Sequence, residues 1–162
     1  MPDPRVRPAR PADVPAILAL VRDLAAYEEA PQECVATEAD LTAALFPPDG
    51  HPNAFCHVGE VDGRVVGMAL YFLNFSTWTG RHGIWLEDLY VEPAQRGSGL
   101  GKALLQSLAE VCVQRGYPRL EWTVLDWNAP ALEFYHSLGA RGMDEWTTHR
   151  LDGAALEALG RH

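Results

Sequence analysis

Three glycines at alternate positions, Gly97, Gly99 and Gly101, stand between an apolar run, GIWLEDLYVE, and a stretch from Ser98 to about Arg115 whose Leu100, Leu104, Leu108 and Val111 hold one helical face. Strand, side-chain-free turn and helix in that order restrict the fold more than any other feature of the chain. The glycines let the backbone turn sharply, and the unpaired amides of the helix N-terminus make an anion site. Arg96 and Lys102 add positive charge on either side, which disfavours a purely connecting role. Two nucleotide patterns compete for the loop. A P-loop needs glycine five positions before Gly101, where Arg96 stands, and Ala103 replaces its hydroxyl. A dinucleotide fingerprint begun at Gly97 ends on Lys102, although Glu121 falls at the distance of its acidic residue. The failed P-loop match opposes nucleotide hydrolysis, and the dinucleotide match is weak.

Around this unit the pattern is mixed. Val6 marks a short first strand. Asp13 is placed to cap a helix with Pro15 in its first turn, carrying Ile17, Leu20, Val21 and Leu24 and ending near Tyr27-Glu28-Glu29 before Pro31. Thr37 and Asp40 form a capping box for a second helix through Leu45, stopped by Pro47-Pro48. AFCHVGEV and RVVGMALYFLNF flank Asp62-Gly63 as a hairpin with a primed turn. STWTGRHG reads as a polar loop, and Gly116 as the C-cap of the long helix. RLEWTVLDW reads as a strand, Asn128 as the cap of a helix with Leu132, Tyr135 and Leu138 that ends at Gly139, and Trp146 to Leu151 as a last strand before a short terminal helix. The order βααβββαβαβ predicts one α/β domain over residues 1–162.

Charge and composition narrow the partners. With 13 basic and 22 acidic residues the net charge is −9, and no Lys/Arg run serves nucleic acid. Such a field draws in a small cationic substrate, although acidity for solubility alone gives the same sum. Cys34, Cys56 and Cys112 are scattered, which speaks against zinc and disulfides, and no base stands ready to make a thiol a nucleophile. His51, His57, His82, His136, His149 and His162 lack metal-ligand spacing, so no metal is predicted. The first residues lack an apolar signal core, and no later run reaches the roughly 18 apolar residues of a membrane helix. The expectation is a soluble cytoplasmic protein without membrane or nucleic-acid partners.

Arg96, Gly99 and Gly101 spell R-x-x-G-x-G after a strand, which resembles the acetyl-CoA motif of the GCN5-related N-acetyltransferases. Further matches run along almost the whole chain: Arg7-Pro8-Ala9, Leu24-Ala25-Ala26-Tyr27-Glu28, Ser76-Thr77-Trp78, Leu86-Glu87-Asp88, Val124-Leu125-Asp126-Trp127-Asn128, Phe134-Tyr135 and Gly139-Ala140. Their order is similar to that of the diamine branch, which takes in spermidine/spermine and thialysine acetyltransferases. The resemblance implies a single domain with a mixed, mostly antiparallel central sheet flanked by helices. It implies acetyl-CoA as co-substrate, with Arg96, Gly97, Ser98, Gly99, Leu100, Gly101 and Lys102 at the pyrophosphate and Leu89, Tyr90 and Val91 along the pantetheine arm. Asn128, Pro130 and Ala131 would line the arm's other side. Tyr135 matches the tyrosine that protonates the departing thiolate, and Tyr27, Glu28, Glu87 and Asp144 match substrate-contacting positions. The segment before Trp146 is shortened here. A homodimer is implied as well.

The chemistry stands beside the resemblance. An alkylamine with a pKa of about 10.4 is about 99.9% protonated at pH 7, so attack on a thioester requires loss of a proton. Glu87, through water, is the expected base, and Asp88 the accompanying acid in the substrate pocket. Strand alternation sends the two to opposite faces and admits only one to a cleft. Tyr135 is the expected general acid, its alternative being a packed aromatic on an apolar helix face. Trp78 and Trp85 are candidates for an apolar or cation-binding wall, or for core packing. The expected reaction is direct transfer of acetyl to a small cationic aliphatic amine, a lysine-like diamine first. The alternatives are acetylation of a protein lysine or N-terminus, and a non-catalytic CoA-binding module.

Overall fold

The computed structural model describes residues 1–161; His162 lies outside them. Contacts divide the chain into two compact units, Met1–Thr123 and the segment from Val124 onward.

The first unit runs β1 (Val6–Pro8), α1 (Val14–Tyr27), α2 (Glu38–Leu45), β2 (Phe55–Val61), β3 (Arg64–Ser76), β4 (Arg81–Val91), α3 (Leu100–Arg115) and β5 (Leu120–Glu121). Short 3₁₀ turns at Pro11–Asp13, Pro31–Glu33 and Pro93–Gln95 each begin at a proline. The five strands lie in sequence order, antiparallel except for the parallel β4–β5 pair, which is the mixed, mostly antiparallel sheet expected. Asp62 and Gly63 take φ values of 51° and 75°, the left-handed pair of a primed hairpin turn, and join β2 to β3 with Val61 opposite Arg64.

Strand alternation sorts the two faces of the sheet. Cys56, Val58, Met68, Leu70 and Tyr90 form one core with Ile17 and Leu20 of α1 and Leu45 of α2. On the opposite face His57 bonds Ser107 of α3 at 2.8 Å, and the bare Cα of Gly59 admits Leu100, whose Cδ1 lies 2.8 Å from where a Cβ would stand. Leu100, Leu104 and Leu108 are buried as expected, but the seam continues through Cys112, which is buried, while Val111 is only half-buried.

Several boundaries differ from the sequence reading. Asp13 lies just before α1 but does not cap it; its carboxylate accepts the Arg10 amide at 2.7 Å and the Arg7 guanidinium at 2.8 Å, holding the preceding turn. The β3–β4 turn is confined to residues 77–80, because Arg81, His82 and Gly83 already pair with β3. α3 starts at Leu100 rather than Ser98, since Gly97 and Gly99 are left-handed at φ 82° and 80°. The strand expected over RLEWTVLDW shrinks to Leu120–Glu121, paired with Ile84 and Trp85. β4 bends two residues later, at a bulge between its pairs with Leu70 and Tyr71, and a bulge that changes the local twist stops a straight neighbour from following.

The second unit holds α4 (Ala129–Ser137) and α5 (Gly153–Gly160). Asn128 caps α4 as expected, accepting the Ala131 amide at 3.3 Å, and Gly139 leaves the helix at φ 90°. The strand expected from Trp146 to Leu151 is not formed: those residues are exposed and join no ladder among the described residues, and a strand without a ladder leaves its backbone groups to water.

Candidate active site

The glycine loop comes from the end of β4. Arg96 and Ser98 amides bond back to Pro93 and Gln95 carbonyls, and Arg5 donates to the Ser98 carbonyl at 3.2 Å. Arg5 carried no motif; only the fold reveals its hold on the loop. The first intrahelical bond of α3 runs from the Ala103 amide to the Gly99 carbonyl at 3.0 Å. The amides of Leu100, Gly101 and Lys102 therefore belong to the turn that helix geometry leaves without intrahelical acceptors. A Cβ at Gly97 or Gly99 would meet nothing within 4 Å, so the loop borders open space. An anion fits there, against free amides, a helix dipole and exposed Lys102.

The bulge in β4 decides what stands beside it. Asp88 pairs with Leu70 and Leu86 with Tyr71, so Glu87 is the extra residue. At a bulge the simple alternation of faces fails, and the charges of both acids are felt together with that of Glu28 at the end of α1. Asp88 is opposite Leu70, on the face of Cys56 and α1, and its pKa is pushed from 3.8 to about 6 by burial, then by the charges of Glu87 and Glu28. Glu28, just beyond α1, has its pKa raised by partial burial and by Glu87. Glu87 itself is exposed. The charges of the three carboxylates reach one another, and the bulge removes the strict alternation on which the choice between Glu87 and Asp88 rested.

Tyr90, two residues beyond Asp88, is buried at 8% exposure, while Tyr27 at the end of α1 is 41% exposed. The Arg96 guanidinium carbon lies 5.3 Å from the Tyr27 ring centroid and 5.7 Å from that of Tyr90. The pKa of Tyr90 is raised chiefly by burial. Loop, α1 end and β4 are in this way linked through side chains. Leu89 and Val91 lie on β4 beside the loop.

Trp78 is elsewhere. It is 80% exposed in the β3–β4 turn, and at about 3.3 Å per residue that turn is about 20 Å along β4 from Glu87. The first unit does not bring Trp78 to the acids. In the second unit Asn128, Pro130 and Ala131 form the capped first turn of α4, and Tyr135 lies farther along that helix, its ring 5.4 Å from Phe134. Asp144 lies in a turn before Trp146.

Burial pushes the Cys56 thiol up to about 12 and raises that of Cys112, so neither is poised as a nucleophile. Among the described residues no His, Cys, Asp and Glu cluster suits a metal ion, and no helix is long and apolar enough to cross a membrane.

A left-handed glycine loop on a helix N-terminus thus follows the bulged strand that carries the acids. Residues 19–140 match the acetyltransferase (GNAT) family. The chain belongs to that family. It is an N-acetyltransferase, and the family uses acetyl-CoA as co-substrate. It is 36% identical over 171 residues to a thialysine N-epsilon-acetyltransferase of Sus scrofa, with 95% of each chain covered. It is 30% identical over 200 residues to an L-ornithine N5-acetyltransferase of Arabidopsis thaliana, covering 97% of this chain and 88% of that one. Among solved structures, an integron cassette protein from the mobile metagenome of V. cholerae shares the GNAT fold at a TM-score of 0.79 and 24% identity, with 97% of each chain covered.

Proposed function

We propose that this GNAT protein acetylates the terminal amine of a small, cationic, aliphatic substrate, a lysine-like diamine first, with residues 1–162 acting as one catalytic domain. The observation that carries the reading is the set Glu28, Glu87 and Asp88, three mutually repelling carboxylates on β4 and just beyond α1. Such a set is relieved by a cation, and a substrate with a second charge beyond its reacting amine satisfies more of it than a neutral amine does. The relatives named for thialysine and ornithine, both aliphatic diamino acids, support the same class.

Acetyl-CoA supplies the activated acyl group. The amides from Gly97 to Lys102 hold its pyrophosphate, Leu89, Tyr90 and Val91 of β4 offer backbone to its pantetheine arm, and Asn128, Pro130 and Ala131 are assigned to the same arm. Tyr27, Glu28 and Asp88 orient the amine; exposed Glu87 takes the proton through water. Tyr135 donates a proton to the leaving sulfur, and Asp144 contributes to substrate binding. Trp78 is assigned no part in a single chain's pocket.

Acetyl-CoA consumption over a panel of lysine analogues, diamines, polyamines and peptides tests the reading. Turnover is expected with small aliphatic diamines. Turnover confined to peptides moves the assignment to protein acetylation, and coenzyme A binding with no turnover on any amine refutes the enzyme reading. A cytoplasmic homodimer is part of the proposal; a monomeric mass by solution scattering at micromolar protein contradicts it.

A further inference from the structure

We infer that Arg96 is a positioning residue that transmits acetyl-CoA binding to the amine site by clasping Tyr27 and Tyr90, an inference that rests on the proposed amine acetyltransferase activity. Its place in the R-x-x-G-x-G motif suggests a simple phosphate ligand. The geometry gives the guanidinium another task. It lies over the rings of Tyr27 and Tyr90, 5.3 and 5.7 Å from their centroids. The main chain of Arg96, by contrast, belongs to the loop: its amide bonds the Pro93 carbonyl at 3.2 Å and Gly97 follows at once in the left-handed region. One residue therefore has its backbone in the cofactor loop and its charge against the last residue of α1.

The two halves of the clasp are unequal. Tyr90 is buried and sits on β4 two residues from Asp88, so it is a fixed platform. Tyr27 is 41% exposed and ends α1, after which Glu28 and Glu29 turn the chain, Glu29 at φ 63°. The Tyr27 side is the more accessible to solvent. A pyrophosphate that orders the loop fixes the Arg96 backbone, which holds the guanidinium on Tyr27 and thereby sets the Glu28 carboxylate toward Glu87 and Asp88. Binding coupling is reciprocal, so the amine must tighten coenzyme A by the same factor. A cation–π contact at a partly exposed site corresponds to about 2- to 5-fold in affinity.

Hydrogen exchange with coenzyme A as the probe reads the clasp without catalysis. The Glu28, Glu29 and Ala30 amides bond to Leu24, Ala26 and Ala25 carbonyls and report on the turn. Saturating coenzyme A is expected to slow their exchange by about 2- to 5-fold in the wild type, together with that of the loop. Arg96→Gln and Tyr27→Leu are expected to keep loop protection and lose turn protection, with Arg96→Lys and Tyr27→Phe restoring part of it. With the best amine of the panel, Arg96→Gln raises the amine KM by about 2- to 5-fold more than it lowers kcat. Should Arg96→Gln no longer bind coenzyme A, Tyr27→Leu, outside the loop, gives the same readout. Turn protection that is absent in the wild type, or that persists in Tyr27→Leu, overturns the inference. Failure of every amine to turn over instead overturns the proposed activity and leaves the exchange result standing.

Discussion

Asp88→Asn isolates the electrostatic cost of the acidic set. Burial and two neighbouring carboxylates raise its pKa from 3.8 to about 6, so the folded state holds a proton that the unfolded chain has already released. Between those values the native state binds more protons than the unfolded one, and stability falls as pH rises through the window, then levels off above it. At 1.36 kcal/mol per pH unit the span is worth about 3 kcal/mol of lost stability in the wild type. Glu28, shifted the same way, adds to the slope.

The asparagine variant carries no titrating group at this position. Its own offset, from an amide's hydration and packing, is independent of pH, so the difference between variant and wild type is the quantity to follow. Urea unfolding from pH 4.5 to 8 is expected to show that difference moving in favour of Asp88→Asn by about 2–3 kcal/mol as the pH rises. The same variant is expected to raise the KM for the amine, because a charge that costs stability in the free protein is one that a bound cation relieves. A difference flat across the range would show that Asp88 is not desolvated against its neighbours and would remove the main support for a cation pocket.

Other perturbations separate the remaining parts. Tyr135→Phe is expected to lower kcat by about 10²- to 10⁴-fold with little change in coenzyme A affinity measured by calorimetry. Gly99→Ala places a Cβ at φ 80°, where an L-residue costs about 1–2 kcal/mol, and is expected to raise the acetyl-CoA KM by roughly 10-fold in steady-state kinetics while the amine KM changes less. Leu104→Ala, at a fully buried point of the α3 seam, is expected to destabilise by about 2–5 kcal/mol in urea unfolding.

Legibility in the sequence followed how local the cause was. The Asp62-Gly63 hairpin, the Thr37–Asp40 capping box, the left-handed Gly116 and the Asn128 cap were all readable because a few adjacent residues suffice to specify each. The glycine loop was readable for the same reason. Asp13 misled because its carboxylate is claimed by Arg7, which also binds Glu60 at 2.7 Å, a partner from another strand that no local pattern announces. The expected strands in RLEWTVLDW and from Trp146 to Leu151 show the complementary failure. Their residue types suit a strand, but a strand exists only where a neighbour offers a ladder, and β4 offers one to just two residues.

The acids on β4 carry that lesson into the chemistry. Alternation along a regular strand would have forced a choice between Glu87 and Asp88, one of them facing away. The pairing of Leu70 with Asp88 and Tyr71 with Leu86 removes the regular strand at that point, and with it the need to choose. The two carboxylates then differ by depth instead of by face. Exposed Glu87 keeps the solvent contact that a water-mediated proton transfer needs, whereas Asp88, held against the core face, exchanges its proton near pH 6 and responds most strongly to a cation in front of it. In the proposed reaction Glu87→Gln is therefore expected to lower kcat through proton removal and Asp88→Asn to raise the amine KM, both read from steady-state kinetics, although the residues are adjacent in sequence.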